Sequence, residues 1–79
     1  MSEASPTIVI DARGSYCPGP LMELIARIKE ARIGEVLEVW ATDEGSAKDI
    51  PLWARKVGHE YLGTETADRE WRVRVRKSK

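Results

Sequence analysis

Residues 7–28, TIVIDARGSYCPGPLMELIARI, change structural period within a few positions, and that change decides the fold. Thr7 to Asp11 is a short β-branched run, the pattern of a strand buried on at least one face. Further on, Leu21, Leu24, Ile25 and Ile28 fall at i, i+3, i+4 and i+7, the apolar stripe of an amphipathic helix. Ala12 to Tyr16, with Gly14 in the middle, is the connecting loop, and Cys17-Pro18-Gly19-Pro20 is the junction. Proline at the first helical position loses nothing, because the first amides of a helix have no carbonyl partner within it and the fixed φ suits the helix. This reading puts Cys17 at the helix start, where the partial positive charge of the terminus favours thiolate over thiol.

The rest of the chain supplies the other elements. Glu23 and Arg27 stand four apart in the favourable acid-first order, and Gly34 is expected to end the helix. Glu35 to Ala41 alternates, with Leu37, Val39 and Ala41 on its buried face. Thr42 to Gly45 is a turn, and Ser46 with Asp49 resembles a capping box for a second helix running to about Val57. Pro51 complicates that start, so either the first turn is irregular or Asp49 is the true cap. Ile50, Trp53, Ala54 and Val57 share one face, and Gly58 ends the helix. His59 to Thr66 reads as a strand and Ala67-Asp68-Arg69 as a turn. In the last strand Trp71, Val73 and Val75 alternate with Arg72, Arg74 and Arg76.

The order β-α-β-α-β-β predicts an α+β fold, a two-layer sandwich with a four-stranded mixed sheet and two helices on one face. In open sheets with crossover helices, sites collect beyond the carboxyl ends of the strands, which brings the loop at 12–18 near the loop at 41–46. Residues 1–6 are expected to form a frayed tail, and 7–77 a single domain.

Composition excludes several function classes. Thirteen basic residues balance thirteen acidic ones, so the whole molecule has no bias toward nucleic acid or acidic membranes. The charge is uneven, however: residues 1–68 carry 7 Lys/Arg against 12 Asp/Glu, and residues 69–79 carry 6 against one. One cysteine cannot form an internal disulfide, and the sequence shows neither a signal-like leader nor an apolar run of membrane-spanning length, so a cytoplasmic location is expected.

The chemistry therefore centres on Cys17. A cysteine can be a small core filler, but this one sits between a glycine-containing loop and a helix start, the place for a working thiol. Pro18 and Pro20 each remove an amide and stiffen the turn, while Gly19 adds no side chain, so the sulfur stands on a rigid post that a partner's sulfur can approach. Arg13 is the nearest cation in sequence and either stabilises an anionic sulfur or is a solvated loop arginine. Tyr16 either contacts a partner or packs the loop. Asp43 and Ser46 reach the same region by the strand-end rule, with turn and cap roles as their plainer reading. His59, the only histidine, reads as a structural residue at a helix end, and one cysteine with one histidine cannot complete a zinc site, so no metal or cofactor is expected.

Cys17-Pro18-Gly19-Pro20 after Asp11-Ala12-Arg13-Gly14, then Gly34-Glu35-Val36-Leu37-Glu38-Val39 and Asp49-Ile50-Pro51-Leu52-Trp53 before Gly58-His59, resembles the TusA/SirA-like sulfurtransferase family from about Ile8 to Arg76. The resemblance implies a small cytoplasmic sulfur carrier whose motif cysteine, here Cys17, is loaded as a persulfide. The implied donor is a cysteine desulfurase or rhodanese-like protein, and the implied acceptor a DsrE-like or other cysteine-bearing protein. Members of the family serve tRNA thiolation, molybdenum cofactor synthesis or sulfur oxidation. Gly19 and Tyr16 stand where tRNA-thiolating members carry acidic and basic residues, which tilts the resemblance toward sulfur oxidation or general trafficking. A carrier of this kind needs no base, metal or second cysteine of its own, because donor and acceptor supply them.

Two other classes compete. A non-enzymatic binding module would use the basic strip Arg72, Arg74, Arg76, Lys77 and Lys79 to dock RNA or an acidic protein, although alternating charge on a solvent-facing strand is ordinarily a solubility device. A thiol peroxidase would need a peroxide-activating group that the motif does not show.

Overall fold

The computed structural model describes residues 7–79, so the expected tail at 1–6 lies outside the described residues. The elements are β1 (Ile8–Asp11), α1 (Gly19–Glu30), β2 (Val36–Ala41), α2 (Glu44–Val57), β3 (Glu60–Ala67) and β4 (Glu70–Arg76). The sheet order is β1-β2-β4-β3, with β1 parallel to β2 and the other two pairings antiparallel. This is the expected two-layer α+β arrangement with a mixed sheet.

Burial follows the periodicities. Leu24 and Ile28 of α1 and Ile50 and Ala54 of α2 meet Ile10, Leu37, Val39, Val73 and Val75 of the sheet in one core, with Trp53, Tyr61 and Trp71 packed at its edge. Each buried aliphatic side chain contributes about 1.5–3 kcal/mol of transfer free energy, which makes this cluster the main driving force for closing the two layers.

Several local expectations are corrected. α1 ends at Glu30 on an extended Ala31, and Gly34, at φ +99°, belongs to the turn that enters β2, where its amide donates to the Lys77 carbonyl at 2.7 Å. Neither Ser46 nor Asp49 caps α2; Asp43 does, accepting from the Ser46 amide, and the helix runs unbroken through Pro51. Pro51 removes its own amide from the helix ladder there, while Ile50 and Ala54 on either side of it are fully buried in the core. Gly58 closes α2 in the left-handed conformation at φ +92° and donates back to Ala54 and Arg55. At the β3–β4 hairpin, Asp68 and Arg69 both have positive φ and Ala67 pairs with Glu70, the two-residue turn whose twist matches the strands.

The basic strip is not free. Arg74 bonds Glu38 and Glu65, each at 2.7 Å, Arg76 bonds Glu60 at 3.0 Å, and Arg72 lies 3.9 Å from Glu70. Arg72 and Arg13 also flank the Trp40 ring from 4.4 and 4.9 Å. Lys77 spends its ammonium on the Ala31 carbonyl at the end of α1, 2.7 Å away. Among the described residues Arg72, Arg74 and Arg76 thus each face a carboxylate, which breaks up the row of arginines that a phosphate backbone would need.

Candidate functional site

The parallel pair β1 and β2 ends at Asp11 and Ala41, and the two loops that leave these ends are stitched together. The Ala12 amide donates to the Trp40 carbonyl at 2.9 Å, and the Gly14 amide to Thr42 Oγ1 at 2.9 Å. Gly14 holds φ +87°, a conformation that favours glycine. The strand-end rule therefore placed the two loops correctly.

Cys17 lies at their meeting point and is exposed. α1 begins at Gly19 with Pro18 as its cap and Pro20 in its first turn, so the helix starts one residue later than expected and Cys17 precedes the cap instead of being it. Its amide donates to Asp43 Oδ2 at 2.9 Å and its thiol to Asp49 Oδ2 at 3.1 Å. Among the described residues no amide donates to the sulfur. Pro18 and Pro20 have none to give, the Gly19 amide is spent on the Tyr16 carbonyl at 2.6 Å, and the Met22 amide on the Pro18 carbonyl at 2.9 Å.

The expected preference for thiolate is accordingly reversed. Hydrogen bonding to Asp49 pushes the Cys17 thiol up from its ordinary value, with partial desolvation and the negative charges of Asp49 and Asp43 acting in the same direction. A helix terminus favours an anion only through free, well-aimed amides, and here the hydrogen-bond partner of the sulfur among the described residues is the Asp49 carboxylate. Accessibility, the other half of the expectation, holds.

Asp43 is the hub of the site. One oxygen, Oδ2, accepts from the Cys17 amide, the Ser46 amide and the Ser46 hydroxyl, the last two at 3.1 Å. These donors, the Cys17 amide foremost, hold its carboxyl below the usual carboxylate range. Ser46 is fully buried, so its hydroxyl has no water to fall back on. Gly45 completes the hub, since a Cβ there would lie 3.3 Å from Asp43 Oδ2 and 3.8 Å from Cys17 Cβ. Gly19 likewise faces Ser15 Cβ, which a side chain would approach to 3.2 Å.

The remaining candidates separate. Tyr16 is 79% exposed beside the thiol and packs nothing. Arg13 turns elsewhere: its guanidinium bonds Asp11 at 2.7 and 2.8 Å and Glu70 at 3.3 Å, and this pairing draws the Asp11 carboxyl down to about 2. A depression of about 620 Å³ lies on that side, lined by Arg13, Glu65, Asp68, Glu70 and Arg72, and Cys17 is not part of it. His59 sits just beyond α2, its Nδ1 accepting from the Ser78 amide at 3.1 Å and its ring 5.5 Å from Trp53. Burial, then Lys77 and Lys79, push its midpoint down, so it serves as a neutral acceptor and not as a helix-end cation. Among the described residues no three of His, Cys, Asp and Glu cluster to hold a metal ion, and no helix is long and apolar enough to cross a membrane.

Asp49 is the residue that sequence reasoning weighed only as a cap. The signal was available: Ile50 and Ala54 define the core face of α2, and the position before Ile50 flanks that face.

Three comparisons bear on this arrangement. The family model described as "Sulfurtransferase TusA" matches residues 8–77. The chain is 54% identical over 72 residues to a protein of Archaeoglobus fulgidus assigned as a sulfur carrier, a stretch covering 91% of this chain and 99% of that one. It is 39% identical over 62 residues, 78% of each chain, to the sulfur carrier protein TusA of Pseudomonas putida strain GB-1. The crystal structure of a SirA-like protein from Desulfitobacterium hafniense superposes with a TM-score of 0.75 at 27% identity, covering 91% of this chain and 99% of that one.

Proposed function

This chain belongs to the TusA sulfurtransferase family, whose relatives above support a sulfur-carrier role, and from that premise we propose that it carries sulfane sulfur as a persulfide on Cys17. The observation that carries the reading is the exposed Cys17 thiol, braced by Asp43 and a proline-stiffened turn where the two loops meet. Residues 7–77 act as one cytoplasmic carrier domain. The chain is a sulfurtransferase in the sense of a relay member: it offers a thiol to other proteins.

The donor is a protein persulfide, such as that of a cysteine desulfurase or rhodanese-like protein. The acceptor is a cysteine-bearing protein of the DsrE-like kind or another thiol. Transfer at sulfur needs a thiolate, access and a good leaving group, and a thiol of higher ionisation midpoint gives the more nucleophilic anion once deprotonated. Pro18, Gly19 and Pro20 keep the approach to the sulfur narrow and rigid, and Tyr16 offers an aromatic surface beside it for a docked partner. Neutralisation of Arg72, Arg74 and Arg76 by acidic neighbours removes the observation on which an RNA-binding reading would rest.

The test is intact-mass analysis after incubation with a cysteine desulfurase and cysteine, or with a rhodanese and thiosulfate. The wild-type protein gains the mass of one sulfur atom, released by reductant, and Cys17→Ser gains none. A wild-type protein that stays unmodified with every donor removes the reading.

A further inference from the structure

We infer that Asp49 is the positioning residue that tells the empty carrier from the loaded one: it accepts the hydrogen bond of the bare Cys17 thiol at 3.1 Å and loses that bond when sulfur arrives. The inference rests on the persulfide-carrier reading. It goes beyond it by giving the carrier its own device for holding the sulfur in two states.

Loading takes the outer sulfur of a donor persulfide. The Sγ–S bond to Cys17 forms as the donor's S–S bond breaks, the donor cysteine departs reduced, and Cys17 takes over the sulfane sulfur. The proton that sat on Sγ ends on the departing donor sulfur, so no outside oxidant or reductant enters. After this exchange Sγ is a bridging atom with no hydrogen. It has nothing to donate to Asp49, and the carboxylate that held a thiol now faces sulfur lone pairs.

The charges around the sulfur make the change one of sign. Asp49 of α2 accepts from the sulfur, and Asp43 in the turn before α2 accepts from the Cys17 amide and adds its negative charge nearby, whereas Arg13 is engaged by Asp11 and Glu70. Two carboxylates stabilise a protonated sulfur that donates to one of them and repel an anionic persulfide. The empty carrier's exposed sulfur is therefore held protonated against Asp49 until a docked donor draws it into the exchange, and the loaded carrier turns its terminal sulfur away from α2 toward solvent and an acceptor. The upward push on the free thiol has the direction this requires.

The test has two arms. In the first, alkylation of the empty protein by iodoacetamide is followed against pH for wild type and Asp49→Asn. The variant's midpoint falls and its rate at pH 7 rises roughly threefold or more, as expected when a carboxylate neighbour is replaced by a neutral amide. In the second, which needs no variant, the Asp49 side-chain carboxyl of the wild-type protein is observed by carbon-13 NMR before and after persulfidation. Its chemical shift moves as the thiol hydrogen bond is lost on loading and returns on reduction. An unchanged alkylation profile in a folded variant, or an Asp49 signal indifferent to a sulfur that mass analysis shows to be present, overturns the inference while leaving the carrier reading intact. Failure of the wild type to take up sulfur overturns the carrier reading instead.

Discussion

The two helices that cover one face of the sheet begin in opposite ways. α2 starts on Asp43, whose carboxylate takes the Ser46 amide and hydroxyl. α1 starts on Pro18 with no side-chain cap; two of its early amides are missing, at Pro18 and Pro20, and two are spent on nearby carbonyls, at Gly19 and Met22. The two starts are nonetheless joined, because the same Asp43 oxygen also takes the Cys17 amide. The cap of one helix thus braces the entrance to the other. The contrast teaches that a helix terminus is an anion site only to the extent that its amides are free and point at the anion. α2 meets that condition for a carboxylate. α1 does not meet it for a sulfur.

The contrast can be broken or sharpened by substitution, most strongly at the hub. Asp43→Ala removes a cap and the tie to Cys17 together and lowers Tm by roughly 10 °C, read by calorimetry, with faster hydrogen exchange at the Cys17 amide. Protonation imitates the substitution. The folded midpoint of Asp43 lies below its usual 3.8, so its contribution is full above that value and lost as pH falls through the lower folded midpoint. The wild-type protein therefore loses more stability on acidification through this window than Asp43→Ala does.

Ser46→Ala comes next. It keeps the backbone bond to Asp43 and loses only the buried hydroxyl, for a Tm decrease of roughly 5 °C. Ser15→Ala, at the entrance of α1, changes Tm by about 2 °C or less, because no side chain caps that helix. Equal costs at Ser15 and Ser46 would show that the two starts are alike after all.

Much of this was readable in the chain. Strict alternation in β4, the two-residue period of Leu37, Val39 and Ala41 in β2 and the i, i+3, i+4, i+7 stripe of α1 placed the strands, the helix and the core, since burial enforces both periods. The ends of helices were harder to read. Gly34 looked like a terminator for α1, yet the chain had already turned at Ala31, and the glycine serves the entry to β2. Pro51 drew attention to Ser46 and Asp49 as alternative caps, because proline argues against an unbroken helix, while tertiary packing of Ile50 and Ala54 carries α2 through it. The thiol's ionisation was misjudged for a related reason. Local sequence shows that a helix begins after Cys17, but it does not show that a residue thirty-two positions later comes within 3.1 Å of the sulfur.

The single thiol is exposed where the loops beyond β1 and β2 meet, on a body about 34 by 25 by 18 Å. Under the proposed carrier role, a donor and an acceptor of comparable bulk must reach that one exposed sulfur, so they are expected to bind in turn and not together.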